Sequence, residues 1–482
     1  MARMIKNVPL YDSLVQELGD VKVSIREDNL KDYSEDMTEI KGHPPDVVVS
    51  ASCKEDVLRV VQIARETNTP IIPVIAKTNM GGLSIPSQGG IVLDFKSMNR
   101  ILEVNKEDLY MVIEPGVTFG DVKEYLDSYH PSLRFAYPLS PPYTSVLANC
   151  LLDGLNNLSL RYGPMGDWMN GVEAVLANGD VIKTGSGAFS PNWCSNSPLP
   201  DLSGLFLNFH GTTGIVTKLS IRLSPKLKYR KKLFVLGYDV DDTYSLIKRL
   251  TRDNLFDDIG GLSWPLGKML FGVKYPVYKD PEEPLILVFL DLSSSYEKEM
   301  SLKIDILNDV LKEYRKKGAH FEDPFDIDVL MKINPEFSKF ADLPATLDFL
   351  LDHGGGGVTW VGTYGPMSQW EKGIKIGMNI LEEMGFPPVM VSRPMSGGHF
   401  CVLRFIVLFN KQDPQEVERV RELNLKLCNA VLDLGFIPYK TPPWVIDLMK
   451  DRLDPGFRKW VKEIQSLLDP YGIMNPGKWD VS

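Results

Sequence analysis

The alternation of apolar and polar positions divides the chain into two grammars. From about residue 46, short apolar runs alternate with helical patterns. Asp46 to Ser50, Ile71 to Ile75, Ile91 to Phe95, Ile101 to Asn105 and Tyr110 to Glu114 have the length and composition of strands. Val57, Val60, Val61 and Ala64 share one face of a helix that Ser52-x-x-Glu55 is expected to open as a capping box. Thr118-x-x-Asp121 opens a second helix in the same way. Val172 to Ala177 and Asp180 to Thr184 are separated by Asn178-Gly179, a pair suited to the tightest hairpin turn. After about residue 226, long strands are followed by long helices four times. These are Leu233 to Val240 with Asp242 to Asn254, Leu285 to Leu292 with Ser295 to Gly318, Gly357 to Gly365 with Ser368 to Gly385, and His399 to Asn410 with Pro414 to Gly435. The series predicts an α+β layer, an antiparallel sheet backed by helices in two similar halves.

Composition narrows the possible partners. The 482 residues, 44% hydrophobic and 24% charged, suffice for roughly two or three domains. A net charge of -10 gives no attraction to phosphate backbones or anionic lipid, so nucleic acid is not expected as a partner. No apolar run is long enough to span a bilayer, because His399 to Phe409 is short and carries Arg404, which marks it as a buried strand rather than part of an integral membrane protein. The start, MARMIKNVPLYDSLVQELGD, lacks an export signal. Five cysteines, at 53, 150, 194, 401 and 428, are scattered and never form C-x-x-C. The expectation is a cytoplasmic protein with reduced thiols and no iron–sulfur relay of its own.

Generic motifs fail. No G-x-G-x-x-G follows a strand, and Gly472 to Lys478 mimics a phosphate loop only until Trp479 replaces the required Ser or Thr. The six histidines are dispersed, so no metal is expected. No G-x-S-x-G elbow is present.

An ordered set of glycine-containing segments remains: Thr78-Asn79-Met80-Gly81-Gly82, Glu114-Pro115-Gly116-Val117, Ser145 to Asn149, Arg161 to Asp167 and Gly211 to Thr217. In this order they resemble the flavin domain of the vanillyl-alcohol oxidase and 4-cresol dehydrogenase family. The likeness is sharpest from Leu147 to Pro225, through the Asn178-Gly179 hairpin and Gly214-Ile-Val-Thr-Lys218. It continues at Tyr439-Lys440-Thr441 and Asp469 to Lys478. The resemblance implies a two-part PCMH-type FAD-binding domain over residues 1–225. It also implies an α+β cap with a large antiparallel sheet of ferredoxin-like halves over 226–438, and a segment, 439–482, that returns to the flavin domain. It implies FAD, held non-covalently, because the relatives' histidine pair falls near Val402 and Leu403.

A diphosphate without a helix terminus or cation needs several backbone N–H groups, and glycine lets the main chain approach it. Lys77, Thr78, Asn79, Met80, Gly81 and Gly82, with Ser145, Val146 and Asn149, are the candidates. The resemblance adds Pro138, Gly163, Gly166, Asp167, Glu173, Gly214, Ile215 and Val216 around the cofactor. It also brings back Asn475 and Lys478, a cation suited to the negative charge of reduced flavin.

On the substrate side, Tyr439 and Lys440 align with a Tyr-Arg pair that binds phenolate in phenol-oxidising relatives. His399 is a candidate base, and Arg393 and Arg404 are candidate carboxylate clamps. Met80 stands where relatives carry a tyrosine, and the acid that follows their proline is missing after Pro138. Three readings stay open. One is hydride removal from a CH–OH or phenol-like carbon, the second a D-2-hydroxyacid dehydrogenase of the lactate and glycolate type, and the third a flavin-binding electron-transfer subunit. The acceptor, whether oxygen, cytochrome, quinone or an iron–sulfur partner, stays open as well, and a homo-oligomer is expected.

Overall fold

Runs of Val and Ile build the first sheet: β1 (Val23–Ser24), β2 (Val47–Ser50), β3 (Ile71–Val74) and β4 (Ile91–Asp94). Their order is β1-β2-β4-β3, with β4 parallel to both β2 and β3. The computed structural model describes residues 8–345, 350 and 353–481, so the basic start MARMIKN lies outside the described residues. Helix Lys54–Thr67 connects β2 to β3 and buries Val57, Val60, Val61 and Ala64 with the strands' inner face. Its start differs from expectation. Cys53 is the N-cap and makes no side-chain cap bond, and Ser52 donates from its amide and hydroxyl to Asp56, at 2.8 and 2.9 Å, rather than to Glu55. Asp56 faces inward, where Lys22 reaches it at 2.6 Å, whereas Glu55 faces solvent.

The free edge of β3 is extended by residues from far along the chain. Ile71 donates to the Ile473 carbonyl at 2.7 Å and accepts from the Asn475 amide at 2.9 Å, making a parallel bridge with Met474.

The second sheet is antiparallel and contains β5 (Ile101–Asn105), β6 (Tyr110–Ile113), β8 (Met169–Val175), β9 (Val181–Lys183) and β10 (Ile215–Arg222), ordered β5-β6-β10-β8-β9. Beside it β7 (Leu133–Arg134) pairs with β11 (Ser224–Pro225). The Asn178-Gly179 turn joins β8 to β9, and the Thr118–Asp121 capping box is fully formed.

Eight strands form the third sheet: β12 (Tyr229–Gly237), β13 (Asp258–Ser263), β14 (Ile286–Ser294), β15 (Phe325–Asp326), β16 (Gly356–Gly365), β17 (Met390–Met395), β18 (Phe400–Asn410) and β19 (Ile437–Pro438). Their order, β15-β12-β14-β13-β17-β18-β16-β19, is two βαββαβ halves. In each half the strands lie 4-1-3-2, and the halves join through their second strands, β13 and β17. Four helices, Val240–Arg252, Glu297–Lys316, Trp370–Glu383 and Pro414–Leu432, cover one face and share a core containing Tyr244, Leu307, Trp370, Phe405 and Leu427. The other face carries Trp360, Tyr364 and Arg404 and meets the first two sheets. There Tyr364 donates to the Asp153 carbonyl at 2.5 Å, and Met80 packs in one cluster with Trp360. Among the described residues no helix is long and apolar enough to cross a membrane.

Candidate functional site

A cleft with about 980 Å³ of atom-free space, its open mouth included, lies where the first two sheets and the returning segment meet. Its first wall is the loop after β3. Lys77, at φ +54°, starts the turn, and its ammonium is drawn away to the Asp32 carbonyl at 2.7 Å and over the Tyr33 ring at 4.5 Å. The Asn79 carboxamide oxygen accepts the Gly81 amide at 2.6 Å, which leaves Asn79 Nδ2 unpartnered. The amides of Thr78 and Asn79 have no acceptor among the described residues. A side chain at Gly81 would strike the Lys440 carbonyl, 2.7 Å from an ideal Cβ, so the glycine lets this loop lie against the returning segment.

Helix Val146–Leu151 is the second wall. Its start is internally satisfied: Ser145 Oγ accepts from Ala148 at 3.1 Å and donates to the Pro115 carbonyl at 2.7 Å, while the Val146 amide binds the Val117 carbonyl. Val146 does not line the cleft: its side chain belongs to the hydrophobic cluster under β6 and β10, and its amide, a candidate diphosphate donor in the sequence, is already bound to Val117. Asn149 does line it. The remaining wall is Gly211 and Gly214 to Val216, entered through positive φ at both glycines, with Asn475 completing the floor.

Buried polar atoms without partners line this space: Asn79 Nδ2, Thr144 Oγ1, Asn149 Nδ2, Asn475 Oδ1 and both ring nitrogens of His210. Each such atom costs about 1–3 kcal/mol if nothing satisfies it. With the free amides of Thr78 and Asn79, the set suits a long polar ligand carrying phosphate and heterocyclic edges.

Other candidates stand outside the cleft. Lys478 is 5% exposed, and its ammonium donates to the Gly82 and Ile85 carbonyls at 3.1 and 3.0 Å, tying the β3 loop from behind. Burial pushes its pKa down to about 8. Glu173 is buried with Lys218 at 3.2 Å and Lys54 at 3.7 Å. Gly163, Gly166 and Asp167 turn below the helix wall, where the Gly166 amide holds Asp153 Oδ1 at 3.0 Å. Pro138 is buried without lining the cleft.

At the end of the cleft facing the third sheet, a polar cluster forms. Tyr439 is buried and stacks on Tyr364, with centroids 4.6 Å apart and planes 7° from parallel. Gly362 makes room for it, since a Cβ there would lie 2.9 Å from Tyr439 Cε1. Arg404 is paired across the strands with Gly362. It donates to the Tyr439 hydroxyl and lies over the Trp360 ring at 4.4 Å. Lys440, at φ +51°, turns its ammonium to Asn149 Oδ1 at 3.2 Å. Burial, then repulsion from Arg404, pushes Lys440 down to about 7, while Asp153 opposes the shift. Burial also pushes Asp153 up to about 7, aided by Asp167 and opposed by Gly166 and Lys440. Neither Arg404 nor Lys440 has a carboxylate in ion-pair contact among the described residues.

The structure brings neither His399 nor Arg393 to this cluster. His399 follows a Gly-Gly turn that carries it to an exposed position beside helix Val240–Arg252. Arg393 joins the two parts of the molecule, pairing with Asp258 at 2.9 Å and donating to the Asn156 carbonyl. Asp153 and Tyr364 went unread in the sequence because each is a lone residue with no motif around it, and His210 because it stands just before the glycine segment Gly211 to Thr217 rather than within it. Among the described residues no cluster of His, Cys, Asp or Glu could hold a metal.

Comparison with known proteins agrees with this geometry. A family model described as an FAD binding domain matches residues 45–185. The chain is 32% identical over 497 residues to mitochondrial D-lactate dehydrogenase [cytochrome] of Arabidopsis thaliana, covering 97% of this chain and 81% of that protein. It is 25% identical over 500 residues to the 4-cresol dehydrogenase [hydroxylating] flavoprotein subunit of Pseudomonas putida, covering 96% and 93%. The glycolate oxidase subunit GlcD of Bacillus subtilis is 35% identical over 214 residues, 43% of each chain. Among solved structures, p-cresol methylhydroxylase with substrate bound has the same fold, with a TM-score of 0.87 at 23% identity over 98% of this chain and 96% of that one.

Proposed function

The chain belongs to the PCMH-type FAD-binding flavoproteins and is an FAD-dependent oxidoreductase, and we propose that it withdraws a hydride from a small organic anion held among Tyr439, Arg404 and Lys440. The observation that carries this reading is the presence of two cations at one end of the cleft without a carboxylate partner. Enclosed charge of one sign calls for a ligand of the other. Bound FAD supplies the hydride acceptor.

Thr78 and Asn79 would hold the cofactor's diphosphate through free amides, and Asn149, Asn475 and the Gly214–Val216 main chain would meet its polar edges. Non-covalent attachment is supported by Val402 and Leu403, which are buried sheet residues without a nucleophile. Arg404 fixes the substrate's anionic oxygen, while its bond to Tyr439 sets the direction of the phenol hydroxyl. Lys440, pushed down to about 7, attracts the anion as the ammonium and, once deprotonated, is placed to take the proton of a substrate hydroxyl as the neighbouring carbon loses hydride. Five unpaired thiols support a cytoplasmic location.

Anaerobic mixing of the FAD-loaded protein with alkylphenols and with D-lactate or glycolate is the test. Bleaching of the visible flavin bands by an anionic substrate, slowed strongly but still measurable in Arg404→Met, is expected. Bleaching by D-lactate alone would select the hydroxy-acid reading, which two of the named relatives favour. Bleaching by neutral alcohols, unaffected by Arg404→Met, would overturn the proposal. No bleaching by any small substrate would leave the electron-transfer subunit.

A further inference from the structure

His210 is 8% exposed, lines the cleft, and has no partner for either ring nitrogen. Its backbone is in the left-handed region at φ +53°, a conformation that is strained for a bulky side chain. The carbonyl is fixed by Asn475 Nδ2 at 2.6 Å, and the Trp479 ring lies 6.0 Å away, tilted. A residue held in strained geometry with both polar atoms unmet is not explained by packing. Burial, then the neighbouring Lys478, pushes its pKa down to about 3, so the ring is neutral, with one N–H donor and one bare nitrogen acceptor.

The loop fixes which part of the ligand His210 meets. The Asn208 amide donates to the Leu151 carbonyl at 2.8 Å, so His210 stands at the C-terminal end of helix Val146–Leu151. Asn149, in the last turn of that helix, binds Lys440. Pro115 and Thr144 line the cleft beside Ser145, the N-cap at the other end of the same helix. His210 and the Tyr439–Lys440 cluster therefore share one end, where the reacting ring must lie. We propose that His210 is a cofactor-positioning residue that hydrogen-bonds the flavin ring through its imidazole. The ring's pyrimidine edge alternates carbonyl acceptors with an N–H donor, so either imidazole nitrogen finds a complement there.

The inference rests on the cleft being the cofactor site, and the experiment separates the two. His210→Gly keeps the positive φ and deletes the ring, and His210→Asn keeps the φ and returns a donor and an acceptor. Apo-protein of each is titrated with FAD and with FMN, which carries the ring without adenosine, and the bound visible spectrum is recorded. The expected result is that His210→Gly weakens FAD and FMN alike by about tenfold and displaces the flavin absorption maxima. His210→Asn should restore much of both. Melting of each apo-protein, expected to match wild type, is the folding check. Unchanged affinity and spectrum in His210→Gly overturn the inference, as does a loss confined to FAD, which would put His210 at the adenosine. Ala148→Trp fills the cleft from its helix wall. If that variant binds FAD as wild type does, the cleft is not the site and both readings fall. If it loses FAD while His210→Gly does not, this inference alone falls.

Discussion

Replacing Lys440 by Met should stabilise the substrate-free protein at low pH, and the gain should fade as pH rises. The ammonium is held at about 7 by burial and Arg404, against an ordinary 10.5. Between those values the folded chain holds fewer protons at this site than the unfolded chain, so the folding penalty is full below pH 7 and shrinks above it. A shift of this size amounts to about 5 kcal/mol at pH 6 and about 2 kcal/mol at pH 9. Met gives up the 3.2 Å bond to Asn149, worth about 1 kcal/mol at either pH. The expected net gain is about 4 kcal/mol at pH 6 and about 1 kcal/mol at pH 9. Urea midpoints of wild type and Lys440→Met between pH 6 and 9 measure it directly. A difference that does not change with pH, or a less stable variant at pH 6, would refute the enclosed-cation account.

Three further outcomes test neighbouring parts of the site. Gly362→Ala would place a methyl 2.9 Å from Tyr439 Cε1 and push the ring off Tyr364; flavin reduction should slow by about tenfold or more with FAD content unchanged, measured by anaerobic stopped-flow. Arg404→Met removes a charge that lowers Lys440, so the acid limb of the reduction-rate profile should move to higher pH by roughly one unit, and an unmoved limb would exclude Lys440 as the titrating group. Arg393→Met strands Asp258 at the junction of the two parts and should cost about 3 kcal/mol or more of stability while sparing the rate of flavin reduction in protein that remains folded.

Hydrophobic periodicity exposed most elements of the fold, but it concealed the two strands at the middle of the large sheet. β13 reads Asp-Ile-Gly-Gly-Leu-Ser, and its glycines exist for close approach: a Cβ at Gly260 would meet the Arg393 side chain at 2.6 Å, and one at Gly261 would meet Tyr244 at 2.7 Å. β17 contains Arg393 and Pro394. Neither has the alternation that marks a strand, because tertiary contact rather than propensity selects those residues. The site divides in the same way. The Tyr439-Lys440 pair and the β3 loop are legible because each is a local segment with its own chemistry. Arg404 was visible as a charge inside an apolar strand, yet its partner Tyr439 lies 35 residues away. Asp153, Tyr364 and His210 acquire meaning only when three sheets bring them together. His399 misled because a histidine after two glycines looks poised, whereas those glycines turn it outward.

The parallel bridge between Ile71 and Met474 bears on when the cofactor can be captured. Ile71 belongs to a strand made early in translation, but its free edge waits for a segment made some four hundred residues later. Asn475, which completes the floor of the cleft and fixes the His210 carbonyl, arrives with that segment. While residues 470–480 remain inside the ribosomal tunnel, the flavin cradle lacks one wall. FAD uptake therefore follows the emergence of that segment, and nascent chains stalled shortly after residue 440 should retain no flavin however well their β3 loop has formed.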